Sequence, residues 1–407
     1  MRISALAAIL EGRGARVTVH TGFPNHPDGR IKPPYRNRPY LVENGTGPRI
    51  VRSAVYPTAN SGFGRRIANH VAFAASAAAT SRLSGPTDVV IAQSPPLFTA
   101  AAGIAYARLK GAPLVLHVAD RWPASAIELG VLNDPRAIRM ACALERACYQ
   151  AAAAIAVPTD GLLTALREVP EADGKVRRIG PYVDTSQFAP RPRPERDGRL
   201  RILYAGTVGL SHGIRTLIEA ARIAGPDAVE VWIAGDGAEA PVLRERLASE
   251  PMPHLRLLGA VPHAHVPRLY SQVDAAVVLL RDRPVFAGAL PVKMFEAMAA
   301  GRPVVLSARG EAARLVERED AGLVVPPEDP QALAEALVGL AGDHSRIGVL
   351  GEAGRRCAVE AFDAEVAADQ WVDLLEEVTD QGGALLKRPR ASSRSPVSRG
   401  LSASARR

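Results

Sequence analysis

The chain is short of cysteine, of long apolar runs and of charge of one sign, and each shortage excludes something. Cys142, Cys148 and Cys357 are its three cysteines. They are too few for a disulfide framework and lack the close paired spacing of a zinc or dithiol redox site. A reducing, cytoplasmic setting suits them. The longest apolar run, around Leu97–Ala107, stops near eleven residues, against the ~18 that a membrane-spanning helix needs. A soluble chain is expected. Ile3–Leu10 follows Arg2 in the manner of a signal peptide, but Glu11 and a strand-like segment come directly after it, and a helix fits better. Of the formal net charge of +8, seven positive charges lie in residues 384–407 with no acid among them, so everything before that sums to +1. A nearly neutral body carries no electrostatic footprint for nucleic acid.

What the chain has is length and apolar material. With 407 residues, 47% hydrophobic and 23% charged, it exceeds the usual ceiling for one core, so two domains follow. β-Branched runs alternate with alanine-rich stretches, the pattern of α/β layers whose parallel strands are buried on both faces. The alternation occurs twice. Strands are expected at 16–21, 88–93, 113–119 and 153–157 with helices over 66–82 and 135–150, then strands again at 201–205, 229–234, 255–259, 275–280, 303–307 and 322–325. Between the halves, PRPRPERDGR at 190–199 favours an extended connector. Two adjacent doubly wound domains leave a cleft at the carboxyl ends of both sheets, where ligands bind in such folds. The opening is unusual, because such a domain normally starts with a central strand and this chain starts in a helix over 3–11. One central strand and its turn are therefore expected to be missing through a mis-set start. Residues 384–407 combine Ser, Arg, Pro and Ala with no apolar period and are expected to be disordered. That tail is a candidate for resting on an anionic membrane surface, with an inert solubilising role as the alternative.

Two segments could carry chemistry. In RILYAGTVGLSHGIRTLIEAARIAG, residues 201–225, an apolar strand runs into Gly206 and Gly209, then a helix with Ile214, Leu217, Ile218 and Ala221 on one face. Small residues in that turn let backbone N–H groups approach an anion, and the helix N-terminus adds about half a positive charge. A phosphate fits there. The spacing is neither G-x-G-x-x-G nor a P-loop, so a plain turn with glycines for steric reasons stands beside that reading. In LPVKMFEAMAAGRPVVLS, residues 290–307, Pro291 opens a helix, Gly301 closes it, and Lys293 and Glu296 lie one turn apart near its start. A lysine there can offset diphosphate charge and a carboxylate can accept from ribose hydroxyls, the alternative being a surface ion pair. His254, His263 and His265 lack the spacing and companions of a metal site.

These segments, with AGDGAE at 234–239 and Gly310–Glu311, resemble the GT-B glycosyltransferases of family 4. TGFPNHPDG at 21–29 and DRWPASAIELGVL at 120–132 are similar to its WbuB/WcaI-like branch. The resemblance runs from about Ile3 to Leu375. It implies two facing Rossmann-like domains: an acceptor-side domain over 1–187, a linker over 188–199, a nucleotide-sugar-binding domain over 200–383 whose final helix crosses back, and the tail over 384–407. It implies retaining transfer of a hexosyl or N-acetylhexosaminyl group from a nucleoside-diphosphate sugar, UDP- or GDP-linked, to a lipid-linked or saccharide acceptor in surface polysaccharide synthesis. The cytoplasmic membrane face would be the place of work.

Carried over by position, Gly206, Gly209 and His212 belong to the donor loop, Lys293 contacts phosphate, Glu296 contacts ribose, and Val261 falls where backbone meets the base. Asp120 and Trp122 match the branch signature at a strand's carboxyl end, with Asn25 and His26 on the acceptor side. Asp120, His117 and Lys293 are the candidate catalytic residues, a structural histidine being the other reading of His117. No cofactor or metal is implied, in keeping with the lack of an Asp-x-Asp pair. Two positions depart from the family. Gly288 stands where many members carry a Glu, and His212 where a Lys is common, which leaves Lys293, with Arg281 or Arg283, to supply positive charge. A nucleotide-sugar epimerase of the same fold and a catalytically silent nucleotide-sugar-binding protein are the alternative functions.

Overall fold

Each strand–helix repeat read above is present in the computed structural model, which describes residues 3–25, 29–45, 47–58, 63–191 and 198–379. The first half runs α1 (Ile3–Gly12), β1 (Thr18–Gly22), β2 (Tyr40–Glu43), β3 (Arg49–Ser53), α2 (Phe63–Ala79), β4 (Val90–Ser94), α3 (Leu97–Lys110), β5 (Leu114–Val118), α4 (Ala124–Glu128), α5 (Pro135–Ala151), β6 (Ala154–Val157), α6 (Asp160–Arg167) and β7 (Val176–Arg178). The second runs β8 (Leu200–Ala205), α7 (Ile214–Ala224), β9 (Val229–Ala234), α8 (Ala240–Ser249), β10 (Leu255–Gly259), α9 (Val266–Tyr270) and β11 (Ala275–Leu279). It continues through α10 (Val292–Ala299), β12 (Val304–Ser307), α11 (Glu311–Arg318), β13 (Gly322–Val325), α12 (Pro330–Gly342), α13 (His344–Ala361) and α14 (Ala364–Val378).

The second domain has one parallel sheet in the order β10-β9-β8-β11-β12-β13. Its strands β9, β11 and β12 are buried along their whole length because helices cover both faces. One face packs on Ile214, Leu217 and Ile218 of α7 and Leu333 and Leu337 of α12. The other packs on Met294, Phe295 and Met298 of α10 and Leu315 and Val316 of α11. Strand order reverses at β8, whose neighbours β9 and β11 diverge on either side. That reversal opens a crevice outside the carboxyl ends of β8 and β11.

The first domain corrects the all-parallel expectation. Its strands form two sheets, β1-β3-β2 and β4-β5-β6-β7, and β2 runs antiparallel to β3 with Val42 opposite Val51. Neither β2 nor β3 was read from the sequence: YLVE and RIVRS are short, carry Glu43, Arg49 and Arg52, and are only partly buried. Among the described residues no strand joins β1 to β4. Leu6 and Leu10 of α1 share one apolar cluster with Val17 on one side of that break and Val89 and Ile91 on the other.

The last helix ties the halves together. α14 buries Trp371, Leu374 and Leu375 in the cluster that holds Leu6, Val115 and Ala156. Arg13, just past α1, is buried and bonds Glu365 at 2.8 Å and Asp369 at 2.6 Å on α14. The linker expected over 188–199 falls partly outside the described residues, and the tail over 384–407 falls wholly outside them.

Candidate active site

The loop leaving β8 is held against the loop leaving β9, backbone to backbone. Gly206 N–H donates to Ala234 O and Val208 N–H to Asp236 O. A Cβ on Gly235 would stand 1.8 Å from Gly206 O, and one on Gly237 would stand 2.5 Å from Val208 O, so glycine is obligatory at both. The turn thus has a fixed shape. Among the described residues no backbone carbonyl accepts from Gly209 N–H. Gly213, at φ +59°, then starts α7 beside the same turn.

Lys293 enters this space from the first turn of α10. Its Nζ donates to Tyr204 Oη at 3.0 Å and lies 4.2 Å from the centre of that ring. A Cβ on Gly206 would stand 3.0 Å from both its Cε and its Nζ, so the glycine makes room for the lysine. Burial lowers the Lys293 pKa to about 7, with the Glu296 carboxylate opposing the shift. His212 lies beside the turn, and burial with the nearby Lys293 charge pushes it down to about 3. A neutral imidazole is the result. Residues 209–213 also have the G-x-S-x-G spacing of a hydrolase elbow, but among the described residues Ser211 Oγ has for a base only this histidine, 3.3 Å away and too weak to activate it.

Glu296, on the inner face of α10, is buried and accepts from His263 Nε2 at 2.7 Å. His263 is therefore the partner of a site carboxylate. His254 lies elsewhere, its Nε2 on Ala221 O at 3.0 Å. Val261 packs half-buried on the core cluster that contains Met294 and Phe295. Of the two extra cations considered, Arg281 sits against the donor loop, its N–H on Ser211 O at 3.0 Å and its Cγ close to Gly213. Arg283 is exposed and donates to Asp282 O.

Gly288 has a structural reason. A Cβ there would stand 3.0 Å from Gly161 Cα of the first domain, and a Cβ on Gly161 would stand 2.6 Å from Gly288 Cα. The domains touch at this point through bare backbone. Beside it, Glu311 accepts from Asp160 N–H at 2.9 Å and Gly161 N–H at 2.8 Å, so a carboxylate of the second domain caps α6 of the first.

Across the cleft, Asp120 follows β5. Burial raises its pKa, opposed by hydrogen bonds from Arg121 N–H and Ser125 and by the Arg121 charge. Trp122 packs on Ala126 and Leu132. Asn25 is half-buried and its carbonyl accepts from Gly29 N–H at 2.7 Å; His26 lies outside the described residues. His117 is not brought into the cleft. It is 2% exposed, edge-on to Trp371 beneath the sheet, and burial holds its pKa near 3. The packing role fits this placement.

The structure therefore gathers Gly206, Gly209, His212, Lys293 and Glu296 around one crevice and leaves His117 in the core. Sequence reasoning missed Tyr204, which reads as one more apolar strand residue, and the pairing of His263 with Glu296.

Two family models match the chain, one to each half: Glycosyl transferase 4-like domain over residues 1–181, and Glycosyl transferases group 1 over 199–343. With the two Rossmann-like domains described above, the chain belongs to the GT-B glycosyltransferases of family 4. Among curated proteins it is similar to the probable glycosyltransferase WbjE of Pseudomonas aeruginosa, 26% identical over 63% of this chain and 64% of that one. It matches half to two thirds of the length of such relatives. Among solved structures, sucrose-phosphate synthase from Thermosynechococcus elongatus aligns at a TM-score of 0.72 and 20% identity, covering 92% of each chain. HepE of Anabaena, solved in complex with UDP-glucose, aligns at 0.62 and 17% identity, covering 79% of this chain and 86% of that one. No helix among the described residues is long and apolar enough to cross a membrane.

Proposed function

We propose that the protein transfers a sugar, with retention, from a nucleoside-diphosphate sugar to a lipid-linked or saccharide acceptor in polysaccharide or glycolipid synthesis. One observation carries this reading: the rigid Gly206–Gly209 turn, Lys293 and Glu296 converge at the point where the strand order of the second sheet reverses. That is the chemistry a nucleotide diphosphate needs, with amides and an ammonium for the phosphates and a carboxylate for the ribose. As the bond from the anomeric carbon to the diphosphate breaks, the departing phosphate gains charge, which the Gly209 amide and Lys293 would stabilise from fixed positions. The same phosphate oxygen then accepts the acceptor's proton on the face it leaves, which gives retention. Carried over from the family resemblance, Asp120 and Trp122 of the first domain would meet the acceptor. Positive charge from protein groups carries the diphosphate, and no resident metal is invoked.

A second reading has one observation behind it. Gly288 removes the carboxylate that many family members place near the donor sugar, which favours a silent nucleotide-sugar-binding protein. The two are separated by incubating the protein with UDP-, GDP- and ADP-linked hexoses, with and without a membrane lipid extract, and following nucleoside diphosphate. Acceptor-dependent release supports transfer; binding without release supports the silent reading. A sugar that changes configuration without acceptor supports an epimerase.

A further inference from the structure

Tyr204 is the last aromatic residue of β8 and is fully buried beneath the donor turn. Its hydroxyl has one proton, and that proton is committed: it is donated to Thr207 O at 2.6 Å, inside the turn itself. The oxygen's free lone pairs therefore face Lys293 Nζ, which donates to it at 3.0 Å. Ammonium, phenol and turn carbonyl form a chain in which each bond polarises the next. Burial pushes the Tyr204 phenol well above its ordinary range, so it keeps its proton at neutral pH.

We propose that Tyr204 is a positioning residue for the donor diphosphate, its hydroxyl locking the Lys293 ammonium to the Thr207 carbonyl so that cation and turn amides meet the phosphates as one unit. The proposal rests on the donor-binding reading above and adds to it a residue that touches Lys293 and the turn. The aromatic ring alone would give Lys293 a floor but no fixed point. The oxygen supplies the fixed point. Other groups facing this lysine are the neutral His212 from the turn before α7, Glu296 on its own helix, and Tyr270 of α9, whose hydroxyl donates to Lys293 O. Glu239, at the start of α8, acts on Tyr204 by its charge.

The test is calorimetric titration of the full chain with UDP-glucose, GDP-mannose and ADP-glucose between pH 6 and 9, on wild type, Tyr204→Phe, Lys293→Met and the double variant. Tyr204→Phe keeps the ring and removes the oxygen. It should weaken binding of the preferred sugar nucleotide about ten-fold, because the ammonium is no longer held in place before the ligand arrives. It should also move the alkaline decline in affinity to lower pH, because the ammonium loses its acceptor. On the Lys293→Met background the same change should cost no more than about two-fold, since there is no ammonium left to position. If Tyr204→Phe binds like wild type, or costs as much without Lys293 as with it, the proposal is overturned while donor binding stands. If wild type binds none of the three, both fall. Should Tyr204→Phe not fold, 3-fluorotyrosine placed at position 204, which weakens the oxygen as an acceptor, replaces it with the same two outcomes.

Discussion

Lys293 makes donor binding a proton-coupled event, and the size of the coupling follows from its surroundings. With a pKa of about 7 in the free protein, roughly half of the molecules carry the ammonium at pH 7, and about one in eleven at pH 8. A diphosphate brought against Nζ stabilises the charged form and moves the pKa back toward the ordinary lysine range. Sugar nucleotides suit the test, because their diphosphate is a diester that does not titrate near neutrality. The free protein must therefore take up a proton on binding, about 0.1 per ligand at pH 6 and about 0.4–0.8 at pH 8. The apparent dissociation constant follows the charged fraction, so it should rise about three- to five-fold between pH 7 and pH 8 and level off once the contribution of the charge is lost. Calorimetry in two buffers of different ionisation heat reads the proton count directly. In Lys293→Met the uptake should vanish and the affinity fall by about ten- to a hundred-fold, the loss of a charged hydrogen bond. An affinity flat from pH 6.5 to 8.5, with equal heats in both buffers, would refute the reasoning. The same lysine sets a sign for stability without ligand. Its folded pKa lies below the unfolded 10.5, so the unfolded chain binds more protons from about pH 7 upward and wild-type stability should rise with pH across that window.

Other substitutions probe the rest of the account. His263→Gln should raise the KM for the sugar nucleotide several-fold with a smaller effect on kcat, because it loosens Glu296, the expected ribose contact; an unchanged KM would remove His263 from the site. Gly161→Ala should impair contact between the domains, since its Cβ would stand 2.6 Å from Gly288 Cα, and small-angle scattering should register a larger radius of gyration. A native radius would show that the contact yields without cost. Trp371→Ala should cost about 3–5 kcal/mol in denaturant melts, as removal of a fully buried aromatic that seats α14 on the first domain; a loss under about 1 kcal/mol would mean that the helix is held mainly by Arg13.

Much of the second domain was legible because its strands are short β-branched runs between glycines and its helices are strongly periodic. Leu217, Ile218 and Ala221 fall on the buried face of α7 for that reason, and Gly225 ends the helix as its left-handed φ requires. Lys293 and Glu296 were legible for a similar reason, since Pro291 and Gly301 bracket their helix. What stayed hidden depends on residues far apart in the chain. Tyr204 meets Lys293 across 89 positions, His263 meets Glu296 across 33, and Glu311 reaches Asp160 across 151. Local periodicity carries no trace of such pairings. The β2–β3 hairpin was hidden differently, because short, partly buried strands that carry Glu43, Arg49 and Arg52 lack the apolar run that marks the strands of the second sheet. His117 misled because it stands near the carboxyl end of β5, where ligands bind, yet its side chain takes the face covered by α14.

The claim at the centre is chemical: one crevice holds an activated sugar by its diphosphate and passes it to an acceptor. The direct measurement is release of nucleoside diphosphate from UDP-, GDP- and ADP-hexoses by the purified chain, with and without membrane lipid extract, and with the anomeric configuration of any product read by NMR. The account predicts release that requires acceptor, is largely lost in Lys293→Met, and yields a product with the donor's own anomeric configuration. Acceptor-independent change of the sugar, an inverted product, or full activity without Lys293 would contradict it.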